Sequence, residues 1–177
     1  MSMEQIIDAV RGLDGALVVV PGPESDAPEL AWGDAFFSYA PDGRMPQHVQ
    51  PYGTIVTKDY PDDAASELDA PDRWRVNVHV DRATFLRLTG EEPRSLTQPR
   101  DFAAADVFFP HPVYGSLGWV AVVNPGEQTT DAVLQLLRDA HDAARARFRD
   151  DELRVVARFL DEMNRELALL RSRPSPP

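Results

Sequence analysis

The chain has 177 residues, 43% of them hydrophobic, which suits one cored domain plus an appendage and argues against wholesale disorder. It contains no cysteine, which excludes disulfides, thiolate zinc sites and cysteine nucleophiles together. A formal net charge of −11 repels phosphate backbones and so argues against nucleic acid as the main partner. The first ten residues carry Glu4 and Asp8 and no basic cluster, unlike a secretory leader, and apolar runs such as Ala16 to Val20 are too short to span a bilayer. A cytoplasmic protein without membrane contact is the expectation.

Met3 to Leu13 reads as a helix, with Ile6, Ile7, Val10 and Leu13 at helical spacing, Ser2 as N-cap and Gly15 as the stop. Ala16 to Val20 is a β-branched run closed by Pro21-Gly22-Pro23. Trp32 to Ala40, rich in aromatic residues, reads as a strand, and Pro41-Asp42-Gly43 as a turn. A proline-bearing loop leads to a strand over Gly53 to Lys58. Asp59 to Arg73 reads as an acidic loop with room for one helical turn near Ala64 to Leu68. Trp74 to Val80 is the clearest strand. Asp81 then caps a helix through Leu88, with Gly90 behind it. After another loop come short strands at Val107 to Phe109 and Gly118 to Val123. Thr129 or Thr130 caps a long helix to about Arg149, with Val133, Leu136, Leu137 and Ala140 as its apolar stripe.

Most gaps between strands are too short for helical crossovers. The expected class is therefore α+β: an antiparallel sheet with helices packed on one face, plus a C-terminal amphipathic helix. Three units are expected: a domain over residues 1–149, a heptad-patterned helix over 150–171 opened by Asp150-Asp151, and a disordered tail over 172–177. In that last helix Leu153, Val156, Leu160, Met163, Leu167 and Leu170 are spaced three and four apart. The stripe fits a homodimer through paired helices. It fits equally a helix packed on its own domain, because Val155, Phe159 and Leu169 broaden it.

Strict alternation in Trp74 to Val80 sends Trp74, Val76, Val78 and Val80 to one side and Arg75, Asn77 and His79 to the other. The polar row reads most simply as the solvated face of a half-exposed sheet, yet a ligand lying on it would meet a cation, an amide and an imidazole. His111 stands between Pro110 and Pro112, which restrict its backbone and give the imidazole a defined direction. Lys58 is the single lysine beside 17 arginines, and an amine is tunable where guanidinium is not. Tyr114 and Trp119 are candidate pocket walls, although aromatic side chains usually serve the core.

The four histidines, His48, His79, His111 and His141, show no metal-ligand spacing, and His141 reads as part of a solvated helix face. The acidic pairs Asp62-Asp63 and Glu91-Glu92 lie in loops without an evident partner. No phosphate-binding glycine loop, nucleophile elbow or zinc-protease helix is present, so no cofactor and no metal are expected.

The segments Trp-Arg-Val-Asn-Val-His-Val-Asp and Gly-Trp-Val-Ala-Val-Val-Asn-Pro-Gly, followed by Leu-Gln-Leu-Leu-Arg-Asp-Ala-His, are similar in order and spacing to the MmcQ/YjbR-like family. Ala-Trp-Gly-Asp, Thr-Ile-Val-Thr-Lys-Asp-Tyr-Pro and Phe-Pro-His-Pro-Val-Tyr-Gly resemble more closely a group of actinobacterial proteins of unknown function. The resemblance covers about residues 3 to 148 and implies an α+β fold. The wider family has been discussed as DNA binders, which the charge of this chain opposes. It supplies no catalytic residue to carry over.

These residues fit three functions. The first is a non-enzymatic small-molecule-binding protein, its pocket between the face of Arg75, Asn77 and His79 and the loop of His111 and Tyr114, with Trp119 and Lys58 as further ligand-binding candidates. The second is an enzyme with His111 or His79 as general base and Lys58 or Arg75 stabilising negative charge. The third is a homo-oligomeric interaction protein acting through its last helix.

Overall fold

The structure, a computed structural model, describes residues 1–47 and 49–171, without the side chains of 164 and 166–171. His48, the side chains of Leu167 and Leu170, and the tail 172–177 lie outside the described residues.

Helix α1 (Met3–Arg11) begins in a reciprocal cap. The Gln5 backbone N–H donates to Ser2 Oγ at 3.3 Å, and the Ser2 N–H donates to Gln5 Oε1 at 2.9 Å. Ile6 and Val10, one turn apart, bury its inner face. Then follow β1 (Ala16–Val19), a 3-10 turn (Glu29–Ala31), β2 (Ala35–Tyr39), β3 (Gly53–Val56) and β4 (Arg75–His79). Helix α2 (Arg82–Thr89) is capped by Asp81, which accepts the Thr84 N–H at 3.0 Å, and ends at Gly90 in the left-handed region with φ 77°. Strands β5 (Phe109–Pro110) and β6 (Trp119–Val123) complete the sheet, and helix α3 (Thr130–Arg171) is the last element among the described residues.

The six strands lie in the order β1-β2-β3-β4-β6-β5, every pair antiparallel. Register puts Phe37, Ile55, Val76, Val78, Val120 and Val122 on one face. All six are buried, and α1, α2 and α3 cover them with Ile6, Val10, Phe85, Val133, Leu136 and Leu137. Gly53 makes the approach of α3 possible: a Cβ there would lie 2.8 Å from Leu137 Cδ2 and 3.1 Å from Phe37 Cδ2. The expected α+β arrangement is the observed one.

Asp106 anchors the start of α3 from across a loop. Its carboxylate accepts the Thr129 hydroxyl at 2.6 Å and the N–H groups of Gly126, Gln128 and Thr129 at 2.8, 3.0 and 3.0 Å. The Thr129 hydroxyl first, then these amides, outweigh burial and hold the carboxyl down at about 2. The break expected at Asp150 does not occur. The α-helix runs on without interruption, because two aspartates cost a helix interior only a few tenths of a kcal/mol each.

Several strands are shorter than their apolar runs. Strand β2 starts only at Ala35, after the 3-10 turn and Gly33 at φ 84°. Strand β3 stops at Val56, where the Thr57 N–H turns to the Asp34 side chain at 2.8 Å. Strand β5 begins at Phe109 rather than Val107. No helical turn forms over Ala64 to Leu68, where the chain is held in turns.

The second face of the sheet is not open to water. The loops before β4 and after α2 cross it, burying Leu68, Phe109, Ala121 and Val123 with Val56 and Phe102 packed against them. Arg75 is 1% and Asn77 2% exposed, so the solvated-face reading of the polar row is wrong. His141 is corrected in the same way. It is 2% exposed, with Nδ1 3.2 Å from the Tyr52 hydroxyl and Nε2 3.1 Å from the Asp14 carbonyl.

Candidate functional site

Alternation in β4 places Arg75 and Asn77 under the covering loops, where two unpaired polar groups would cost several kcal/mol. They meet each other first: Arg75 Nε donates to Asn77 Oδ1 at 2.8 Å. Arg75 Nη1 donates to Asp63 Oδ1 at 3.0 Å and to Ser66 Oγ at 2.9 Å, and Nη2 donates to Asp63 Oδ2. Asp63 therefore takes the guanidinium with both oxygens, a fork that suits a planar cation. The remaining Nη2 hydrogen faces His111 Nε2 at 3.1 Å. Asn77 Nδ2 donates onward to Thr54 Oγ1 at 3.0 Å, across the β3–β4 ladder.

His111 is held by the turn its prolines set. The backbone N–H groups of Val113 and Tyr114 both reach Nδ1 at 3.1 Å. Three N–H groups thus surround a ring that, when neutral, has a single lone pair. A proton on Nε2 faces the Arg75 guanidinium at 3.1 Å, with the Asp63 Oδ2 acceptor farther off at 3.6 Å, so the arrangement opposes a doubly protonated ring. Burial foremost, and the Arg75 charge after it, push the His111 pKa down to about 3 against the weaker opposing pull of Asp63. For Asp63, burial alone would raise the carboxyl. The hydrogen bonds and charge of Arg75, helped by His111, more than offset this and keep it below its ordinary value. The site at neutral pH therefore holds one cation, one carboxylate and a neutral imidazole.

Above this network lies a cavity of about 430 Å3. Arg75, Asp63, Asn77, His111 and Thr54 form its polar floor, and Phe36, Tyr60, Tyr114 and Trp119 supply aromatic walls. Asp62, Gln50 and Val113 are among the residues around them. The Tyr114 ring tilts over His111 with centroids 4.9 Å apart.

Five of the seven candidate residues thus meet: Arg75, Asn77, His111, Tyr114 and Trp119. Two do not. His79 packs edge-on against Trp119 at 5.7 Å and lines neighbouring hollows beside α3 with Arg147. Lys58 is tied down elsewhere. Its Nζ donates to the Trp32 carbonyl at 2.6 Å and to Asp34 Oδ1 at 3.2 Å. The fully buried Asp34 also takes the Thr57 hydroxyl at 2.8 Å and the Tyr60 hydroxyl. Burial, then Asp34, push the Tyr60 phenol up.

Asp63, Tyr60, Thr54 and Phe36 were not among the candidates. The acidic pairs do have partners: Asp63 holds Arg75, Glu91 holds Arg100, and Glu92 holds Arg82 at the surface. A doublet of acids beside a strand with an inward arginine was the available signal for Asp63.

Together these features define an α+β protein with an antiparallel sheet whose loop-covered face carries a buried ion pair under an aromatic-walled cavity. The chain belongs to a family of unknown function, DUF6194, whose model matches residues 1–152. No curated protein and no solved structure matches it. Among the described residues no helix is long and apolar enough to cross a membrane.

Proposed function

We propose that the protein binds a small molecule, without transforming it, in the cavity above Arg75 and Asp63. The observation that carries this reading is the coexistence of aromatic walls with a polar floor already fixed by its own hydrogen bonds. Binding pockets are typically 300–1,000 Å3 and largely pre-formed, and a volume of about 430 Å3 falls within that range. Arg75 has a different role here from the anion holder expected of it. Four of its five donors are engaged by Asn77, Asp63 and Ser66, and the fifth points at the His111 ring, so it acts as the pin that fixes the floor. The free hydrogen-bonding capacity lies on the Thr54 hydroxyl, the second N–H of Asn77 and the outer lone pairs of Asp63.

The geometry favours binding over catalysis. A general base needs a lone pair within reach of its substrate. Both nitrogens of His111 face N–H donors, His79 lines other hollows, and Lys58 is held by Asp34. Methyl-resolved NMR with a fragment library tests the binding reading, because Thr54, Val56 and Val113 line the cavity. Fragments that shift these methyls support it; a library that leaves them all unmoved sinks it.

A second reading concerns assembly and rests on α3. Beyond Arg149, residues 150–163 are all exposed, and Leu153, Val155, Val156, Phe159, Leu160 and Met163 lie on one side of the helix with charges opposite. The helix-on-own-domain alternative therefore loses ground, and a second copy presenting the same heptad stripe is the partner proposed. Light scattering on the full chain and on a chain ending at Asp150 separates the outcomes: a dimer that becomes a monomer supports it, and an unchanged mass rejects it.

The division into a domain over 1–149 and an appended helix belongs with this proposal. So do kinship with the MmcQ/YjbR-like family, an actinobacterial source and a cytoplasmic location. They rest on element order, quoted motifs and the cysteine-free acidic composition.

A further inference from the structure

We infer that the cavity selects a small organic cation, an ammonium group on an apolar or aromatic body, with Asp62 supplying the unpaired negative charge and Asp63 the spare acceptor lone pairs. This rests on the binding reading above and gives the ligand a chemical class. Among the described residues lining the cavity the only cation is Arg75, and it is already neutralised by the two-oxygen grip of Asp63. His111 is neutral, and Asp62 adds an exposed carboxylate at the rim. The lining therefore has a net charge of about −1 inside a protein of net charge −11. An anion would enter with no unpaired cation to meet it, and burying it unpaired is strongly unfavourable.

Each oxygen of Asp63 is used once by Arg75 and keeps capacity for another donor, and the side chain remains 14% exposed. An ammonium group brings donors only, which is the complement. The walls add a third element: aromatic faces attract cations, the more so when partly desolvated. Tyr60 is the best placed by chemistry. Its hydroxyl donates to the buried Asp34 carboxylate, which sends electron density into the ring and strengthens its negative face. Tyr114 and Trp119 supply further faces.

Three probes of one size separate the possibilities: 2-phenylethylammonium, 2-phenylethanol and 3-phenylpropionate, titrated into the full chain and followed at the Thr54, Val56 and Val113 methyls. The ammonium is expected to bind at least about tenfold more tightly than the alcohol, and the carboxylate more weakly still. Asp62→Asn and Tyr114→Leu alter exposed groups at the mouth and leave the buried pair intact. Both should weaken the ammonium severalfold and change the alcohol less. Equal or tighter binding of the alcohol or the carboxylate overturns the cation inference while leaving the binding reading standing. Ammonium binding indifferent to both variants also overturns it. If none of the three moves the cavity methyls, both readings fall.

Discussion

Asp63→Asn tests the network on which the site depends. Arg75 is 1% exposed, so it cannot turn to water when its counter-ion is lost. Breaking a buried pair from one side costs about 3–5 kcal/mol, because the remaining charge is left uncompensated. Two features place this case near the lower end: the Asp63 side chain keeps 14% exposure, and the amide that replaces the carboxylate retains one acceptor. A loss of about 3 kcal/mol is expected at pH 7, which for a chain of this size lowers Tm by roughly 6–12 °C. Asp62→Asn, exposed and next in sequence, should stay within about 0.5 kcal/mol and serves as the control. The pH dependence follows from linkage. The folded value of Asp63 is depressed below the ordinary 3.8, so its contribution is fully present above that value and is lost as pH falls through the folded one. The gap between wild type and variant should be flat above about pH 5 and should close below it as the carboxylate protonates. Chemical denaturation at pH 7 and pH 3 measures both. A difference under about 1 kcal/mol at pH 7 would mean that water already compensates the pair, and the pre-formed floor would have to be abandoned.

His111→Asn keeps an acceptor for the Val113 and Tyr114 amides but removes the titrating ring. Folded His111 titrates near 3 rather than 6.5, so between these values unfolding takes up a proton; stability is full above pH 6.5 and falls toward pH 3. The variant should lack a slope of up to about 1.4 kcal/mol per pH unit across that window, and parallel curves would contradict the assignment. His79 and His141, also depressed chiefly by burial, remain in both proteins and cancel in the comparison. Gly53→Ala should cost about 1–3 kcal/mol through its clash with Leu137 and Phe37, opposite in sign to the usual gain from reducing unfolded-state entropy; a stabilised variant would show that α3 yields easily. Asp106→Ala removes the anchor of α3 and puts alanine at φ 58°, so a loss of about 2–3 kcal/mol is expected by calorimetry, whereas a change under about 0.5 kcal/mol would make the anchor superfluous.

The legible part of this protein is what one segment decides by itself. The period of two in Trp74 to Val80 correctly put Val76 and Val78 against the helices and Arg75 with Asn77 on the other side. The Ser2 and Asp81 caps are contacts over three residues, and both are present. What a face meets is decided elsewhere in the chain. Arg75 reaches Asp63 over 12 residues and His111 over 36, and His141 reaches Tyr52 over 89, so a row of polar residues looks solvated until the covering loops are known. Those loops have no period to read; Asp59 to Arg73 is organised by side chains binding backbone, as where Asp59 Oδ1 takes the Leu68 N–H at 2.8 Å. Lys58 drew attention by its rarity, but its chemistry is set by Asp34, a residue 24 positions away that nothing in its own segment distinguishes. The same distance effect reverses the meaning of Arg75. A lone arginine on a strand face reads as a ligand donor, whereas one whose donors are engaged makes the carboxylate opposite it, rather than the guanidinium, the charged group with capacity left for a ligand. The sign of the expected ligand therefore changes with the discovery of one loop partner, while the location of the site on the sheet does not.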